Sequence, residues 1–441
     1  MLNYNKKKIV FKAIDLFAGI GGIRLGFEQA FQDQIEFVFS NEIDDFCCET
    51  YQSNFGKNPK GDIRKINPSE IPDFDILLAG FPCQAFSIAG EKRGFEDTRG
   101  TLFFNIAQIL KIKRPEAFFL ENVKHLKNHD KGRTFQVIKD VLTEDLGYFV
   151  HSEVLNAKDF GVPQSRERIY IIGFEENYQF KFPKTTNKEV KIEEILQENV
   201  DESYYLSHEY LEGLKRHRAR HEAKGNGFGY EVIPREGIAN ALVCGGMGRE
   251  RNLVKDKILT NAWKKEGDDI QLRNEEGLRK MTEREWARLQ GFPDSFKFPV
   301  SMTQAYKQLG NSVPVPVIKA IAEQVKTALD DQKIIPTLKL NEKEKQIKAL
   351  LLRMYNRDEF TKTGVKFIST IERFIEGNYL RISNLSELLK TMERYNISRR
   401  INENQIKFSK DIIDSDSKEE FLESLRRLFK GSEIQLALAD F

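Results

Sequence analysis

A glycine-rich turn between a strand and a helix constrains this chain more than any other stretch. Phe11-Lys12-Ala13-Ile14-Asp15-Leu16-Phe17 has strand character, Ala18-Gly19-Ile20-Gly21-Gly22 follows, and Ile23 to Phe31 has amphipathic helical spacing. Strand, glycine turn and helix is the arrangement that cradles phosphates and nucleotides, because glycine lets the backbone come close to a ligand. Such sites often place an acid about twenty residues on, at the end of the second strand, where it accepts hydrogen bonds from a ribose. The second apolar run here is Phe37-Val38-Phe39-Ser40-Asn41, and Glu42 ends it. Nicotinamide, flavin and S-adenosylmethionine sites share this logic, and an ordinary tight turn produces the same local pattern.

Strand and helix signals then alternate as far as Phe174. Gly61-Asp62-Ile63 follows a Pro-containing turn; its Asp can hold an amino group or cap the turn. Phe74 to Ala79 reads as a buried strand that ends in Gly80 and runs into Phe81-Pro82-Cys83. Gly80 permits a sharp turn and Pro82 fixes φ, so the Cys83 thiol is expected at the carboxyl end of a strand, the edge where open α/β sheets bind ligands. A thiolate there is a nucleophile if its pKa is lowered or its target activated; a free cysteine alone is more often a small buried hydrophobe. Ile88 to Gly100 carries Gly90, Gly94 and Gly100 with Lys92, Arg93 and Arg99, which suits a closing lid or a surface loop. Thr101 to Lys113 has helical spacing and stops at Pro115. Ala117-Phe118-Phe119-Leu120 is an apolar strand ending in Glu121-Asn122-Val123, where desolvation would favour the neutral carboxyl. A helix over Phe135 to Leu146, a strand over Phe149 to Leu155, and Gln164-Ser165-Arg166-Glu167-Arg168 leading into strand Ile169 to Gly173 complete an α/β layer with a largely parallel sheet.

The texture changes after Phe174. Residues 175–278 hold a basic run, Lys215 to His221, and two glycine-rich loops, Gly225 to Tyr230 and Cys244 to Arg251. Basic groups position phosphates and flexible loops reach base edges, although a charge run is usually a solvated face. Thr282 and Glu285 have capping-box spacing before a helix that ends at Gly291-Phe292-Pro293. Ala305 to Pro314 leads into an apolar helix, Val317 to Leu329. Residues 331–441 read as a mainly helical extension, with one face at Ile347, Leu350, Leu351, Met354 and Tyr355, and another at Phe421, Leu422, Leu425, Leu428 and Phe429. Domains are therefore expected at 1–178, 179–280, 281–330 (returning to the first) and 331–441.

Charge excludes little: 69 Lys and Arg against 67 Asp and Glu leave +2, so any basic surface is local. Cys47, Cys48, Cys83 and Cys244 form neither a disulfide framework nor a metal pattern, as expected of a reducing compartment. The N-terminal lysines lead into no long apolar run, and Asp15 interrupts the next strand. No signal peptide is therefore expected, nor a membrane span; a cytoplasmic protein is.

Taken together, Asp15 to Gly22, Gly80 to Ser87, Glu121 to Val123, Gln164 to Arg168 and Gln308 to Val313 resemble the DNA (cytosine-5) methyltransferase family, and most of all its bacterial restriction–modification members. The resemblance spans residues 11–327. It implies a Rossmann-like S-adenosylmethionine-dependent fold with a smaller target-recognition domain. It implies cofactor contacts from Asp15, Phe17, Gly19, Ile20, Gly21, Gly22 and Gly80, ribose contacts from Glu42, adenine contacts from Ile43, Asp62 and Ile63, and closure of that site by Asn311 and Ser312. It implies that Cys83, after Pro82, attacks carbon 6 of a cytosine, that Glu121 binds ring nitrogen 3 and the amino group, and that Arg168 binds the ring carbonyl with Arg166 in support. A cytosine in duplex must be flipped out to be reached. Gln84, Ser87, Arg99, Phe228, Arg249 and Arg251 are the implied DNA contacts. The implied partners are double-stranded DNA and a cognate restriction endonuclease. Two positions depart from the family pattern: Ile43 stands where an aromatic often stacks, and Ala241-Leu242 where a Thr-Leu pair is usual. An RNA methyltransferase of similar architecture, a non-catalytic DNA-binding relative and a nicotinamide oxidoreductase are the alternatives. The long 175–278 region favours DNA over RNA. Intact Cys83, Glu121 and Arg168 argue against the second alternative, and the Pro82-Cys83 step against the third.

Overall fold

Six strands build one sheet in the order β2-β1-β3-β4-β7-β5. They are β1 (Phe11–Leu16), β2 (Ile35–Asn41), β3 (Ile76–Gly80), β4 (Ala117–Val123), β5 (Phe149–Asn156) and, after the two-residue β6 (Gln164–Ser165), β7 (Glu167–Phe174). β1 pairs in parallel with β2 and β3, and β3 with β4, whereas β4 and β7 are antiparallel. A computed structural model describes residues 10–82, 102–186, 189–227, 229–245, 248–259, 263–264, 270–271, 273–334, 365–367, 389–390, 392, 398–402 and 405–408. Helices α1 (Gly22–Phe31), α2 (Asp45–Phe55), α3 (Leu102–Lys113) and α4 (Arg133–Asp140) alternate with the strands. The central strands are apolar at nearly every position because both faces are covered: Ile76 to Ala79 and Ala117 to Leu120 are fully buried. Helix α4 is shorter than its spacing suggests, since Val141–Asp145 continues it as a wider π turn.

The chain divides into two compact units: residues 1–138, 150–174 and 179–328 form one, and 139–149, 175–178 and 329–441 the other. Within the first, α5 (His208–Glu222) packs Leu211 and Leu214 with Leu253 and Leu278 of a small sheet, β13-β10-β8. Its strands are β8 (Val232–Ile233), β10 (Leu253–Lys255) and β13 (Leu278–Lys280). The short strand β9 (Ala239–Asn240) pairs instead with β6, and β11 (Trp263–Lys264) with β12 (Ile270–Gln271). Helix α6 (Glu283–Leu289) starts with the expected capping box: Thr282 accepts from the Glu285 amide, and Glu285 from the Thr282 amide. α7 (Met302–Asn311) and α8 (Val315–Ile334) follow. Trp286, Phe292 and Leu309 close a core around Ile20.

The described residues of the second unit include an antiparallel sheet, β14 (Val365–Phe367), β16 (Gln405–Phe408) and β15 (Ser398–Asn402), which the helical spacing of the tail did not suggest. The two tail faces at 347–355 and 421–429 lie outside the described residues. No helix among the described residues is long and apolar enough to cross a membrane, and among them no cluster of metal-ligating side chains occurs.

Candidate active site

One half of the site forms where β1 and β2 end side by side. The chain leaves β1 through Phe17 at φ 53, Gly19 at φ 52 and Gly21 at φ 84. A left-handed Phe17 carries strain of about 1–3 kcal/mol, the kind a fold retains where backbone must be aimed. Gly21 is glycine twice over: its φ is positive, and a Cβ would lie 2.2 Å from the Phe55 ring. At Gly19 a Cβ would meet nothing within 4 Å among the described residues. Gly22 meets a segment nearly 300 residues further along the chain, because its Cβ position is 2.8 Å from Ser312 Oγ. Ile20 points away, into the core beside Trp286.

Glu42 is oriented by backbone amides. Its Oε2 accepts from the Gly19 N–H at 2.8 Å, and its Oε1 from Ile43 and Asp44 at 2.7 and 2.8 Å. A carboxylate has about four lone-pair positions, so Oε2 keeps one for a hydroxyl donor. Ile43 beside it is exposed. Asp62 caps a 3₁₀ turn and takes a two-pronged grip from Arg64 at 2.9 and 2.7 Å, which holds its pKa down to about 2. Ile63, next in sequence, is buried.

Asp15 is fully buried at the end of β1, and its Oδ1 has no hydrogen-bond partner among the described residues. Oδ2 accepts from Tyr51 at 3.4 Å, and Tyr51 also meets Ser40 at 2.8 Å and Arg24 at 3.1 Å. Burial pushes the Asp15 carboxyl up to about 7 against the pull of Arg24. Arg24 sits between the Phe37 and Phe55 rings, 4.6 and 4.3 Å from their centroids.

The other half is set by β3 and β4, where Gly80 and Glu121 are register partners. Glu121 is buried; Arg168 Nε, from β7, meets its Oε1 at 3.1 Å, and a Cβ on Gly80 would stand 3.5 Å from its Oε2. Desolvation raises the Glu121 pKa despite Arg168 and Arg166, which favours a carboxyl able to donate. Asn122 Nδ2 donates to the Phe81 carbonyl at 2.9 Å and so anchors the backbone just before the exposed Pro82. Cys83 itself lies outside the described residues, as do Gln84, Ser87, Arg99 and Phe228.

Arg166 is buried and points elsewhere. Its guanidinium donates to the carbonyls of Leu242 (2.6 Å), Gly310 (2.9 Å) and Ser312 (2.7 Å). Burial lowers its pKa to about 9, still charged at neutral pH. It joins the strand of Arg168 to the start of the second glycine-rich loop and to the segment that reaches Gly22.

The family model for C-5 cytosine-specific DNA methylases matches residues 11–327, most of the chain and both halves of this site. The chain belongs to that family. The methylase is 55% identical over 322 residues to the Type II methyltransferase M.HpaII of Haemophilus parainfluenzae, a match covering 71% of this chain and 89% of that protein. It is 51% identical over 323 residues to the Type II methyltransferase M.NlaX of Neisseria lactamica, covering 73% and 97%. Its fold is similar to that of a methyltransferase from Entamoeba histolytica, with TM-score 0.57 at 20% identity, covering 74% of this chain and 99% of that one. The methylase is thus a DNA (cytosine-5) methyltransferase with a mostly parallel, Rossmann-like sheet.

Of the arginines expected on DNA, Arg249 lies over the Tyr306 ring at 5.3 Å, and Arg251 pairs with Glu231 at 3.3 Å across a half-exposed surface. Asn311 is exposed at the end of α7. Sequence reasoning passed over Tyr51, Arg24 and Tyr170. The last sits opposite Glu121 in the β4–β7 register with a buried hydroxyl that has no partner among the described residues, and burial drives its pKa up. An aromatic in an apolar strand looks like core; only the cross-strand register reveals its neighbour.

Proposed function

We propose that the methylase transfers a methyl group from S-adenosylmethionine to carbon 5 of a cytosine flipped out of a specific short duplex sequence, through a covalent Cys83 adduct. The observation that carries this reading is the Glu121–Arg168 pair held beside Gly80, three residues before Cys83. The residues fit the cofactor: among the described residues Asp15 offers a buried carboxylate oxygen without a partner, suited to an ammonium, a Cβ on Gly19 would meet nothing within 4 Å, and Glu42 Oε2 retains a lone pair for a ribose hydroxyl. When bound, S-adenosylmethionine supplies an electrophilic methyl group.

The chain's own groups do the rest. The Cys83 thiolate adds to carbon 6 of the cytosine. Glu121 donates to ring nitrogen 3 as electron density moves onto the ring, which makes carbon 5 nucleophilic. Arg168, already at Glu121, binds the ring carbonyl. After methylation, loss of the carbon 5 proton to water expels the thiolate, and ring nitrogen 3 returns its proton to the Glu121 carboxylate, which restores both the ring and the acid. Recognition of the target sequence is the work of residues 179–280, with Arg249 and Arg251 at phosphates, and 281–330 complete the catalytic domain. The Type II relatives suggest a restriction–modification setting with a cognate endonuclease acting on the same site, and a cytoplasmic location in a bacterium.

The test is transfer of labelled methyl to duplex DNA and to transfer RNA, with Cys83→Ser alongside and base-resolution mapping. Transfer to DNA at one short motif, abolished in Cys83→Ser, is the expected result. A duplex with 5-fluorocytosine at that site should trap a covalent complex, because fluorine cannot leave as a proton does. Labelling of RNA alone overturns the substrate; full activity of Cys83→Ser overturns the nucleophile.

A further inference from the structure

Both backbone polar groups of Leu242 are held by side chains. Its N–H donates to Gln164 Oε1 at 3.0 Å, and its carbonyl accepts from Arg166 Nη1 at 2.6 Å. Both gripping side chains are buried. Gln164, Arg166 and Arg168 are alternate residues of one extended segment, a spacing that repeats a face, and Arg168 meets Glu121 at 3.1 Å. One short stretch of backbone therefore carries two grips on Leu242 and one contact to the proposed catalytic carboxyl.

Gln164 meets more than Leu242. Its Nε2 donates to the Leu289 carbonyl at 2.9 Å and to Gln290 Oε1 at 3.3 Å, and Gln290 Nε2 donates to the Leu309 carbonyl at 2.9 Å. β6 and β9 pair just upstream, and the Ala239 N–H donates to the Pro163 carbonyl at 2.8 Å. The loop is also seated tightly against α7, since a Cβ on Gly310 would lie 2.7 Å from the Cys244 nitrogen. Leucine would fill the volume of Gln164. Only an amide matches a donor on one segment and acceptors on another at once, and an apolar replacement leaves the Leu242 N–H and the Leu289 carbonyl unpaired in the core.

We propose that Gln164 is a positioning residue that fixes the segment Ala241–Gly245 relative to the Glu121–Arg168 pair, so that base selection and chemistry are referred to one short extended segment. The inference rests on the proposed function, in which residues 179–280, this segment among them, recognise the target sequence and Glu121 holds the flipped cytosine. Loosening it changes where the enzyme methylates before it changes whether it holds its cofactor.

The experiment uses the full-length protein, Gln164→Leu, and Gln164→Glu as the conservative variant that keeps an acceptor for the Leu242 N–H. Each is incubated with S-adenosylmethionine and unmethylated plasmid DNA, followed by base-resolution mapping. Gln164→Leu should raise methylation outside the wild-type motif about fivefold at matched in-motif methylation, the weight of one ordinary hydrogen bond in an equilibrium. The KM for DNA should rise while cofactor affinity stays within about twofold, and Gln164→Glu should fall between. Amide exchange should quicken in peptides covering 239–245 and not in those covering β1 and β3. Unchanged motif fidelity, or an exchange increase spread evenly over the unit, overturns the proposal. If Gln164→Leu does not fold, Arg166→Lys puts the same question from the carbonyl side, because an ammonium cannot span the three carbonyls that the guanidinium reaches. A wild-type protein that methylates no DNA overturns the reading of function and this inference with it, whereas an active variant of full fidelity overturns the inference alone.

Discussion

Asp15→Asn should make the stability of the catalytic unit less dependent on pH. In the folded chain the carboxyl is fully buried, with Tyr51 its one hydrogen-bond partner among the described residues, and its pKa is raised from 3.8 to about 7. Between those values the folded state binds a proton that the unfolded state has released, so stability falls as pH rises. The stabilising contribution is fully present below about pH 4 and is lost as pH passes through about 7. Three units at 1.36 kcal/mol each set a span of about 4 kcal/mol. Asparagine keeps the size and an acceptor for Tyr51 but cannot ionise; its new N–H₂ costs about 1–3 kcal/mol if unpaired. The variant should therefore be equal to or weaker than wild type near pH 5 and about 1–3 kcal/mol more stable at pH 8. Urea unfolding in steps from pH 5 to 8, followed through buried Trp286, measures this. A difference between the two proteins that stays constant across that range would refute a buried, poorly partnered carboxyl at this position.

Glu121→Gln should keep the fold and the cofactor affinity but lower kcat at least about a hundredfold, since an amide can hydrogen-bond but cannot deliver a proton; steady-state methyl transfer reads this directly. Arg279→Met should cost about 3–5 kcal/mol in urea unfolding, because Glu285, fully buried with it, loses a two-pronged partner at 2.8 and 2.9 Å. Gly21→Ala should both destabilise the protein and weaken cofactor binding, as its Cβ would meet Phe55 at 2.2 Å from a backbone at φ 84; calorimetry with S-adenosylmethionine separates the two effects.

Much of this molecule is written in local sequence. The first glycine turn, the acid after β2, the strand into Gly80 and the Thr282–Glu285 capping box were all readable because each depends on residues a few positions apart. The antiparallel β7 and the π turn after α4 were not, since strand direction and helix width are settled by packing partners distant in sequence. The roles of the two arginines in Gln164 to Arg168 were legible only as a motif. That Arg166 serves three backbone carbonyls while Arg168 serves Glu121 depends on where Leu242, Gly310 and Ser312 arrive. Gly310 shows the same limit: nothing beside it in sequence reveals that Cys244 leaves no space for a side chain.

The contact of Gly22 with Ser312, and the Thr50–Gln308 hydrogen bond that spans 258 residues, also have a meaning in time. A ribosome adding about 5–20 residues per second needs from about ten seconds to about a minute between those two residues. Throughout that interval the growing polypeptide has its glycine turn but lacks the segment that packs against it. An unfinished chain therefore cannot close this core, which is completed only when α7 emerges and its end packs onto the first turn.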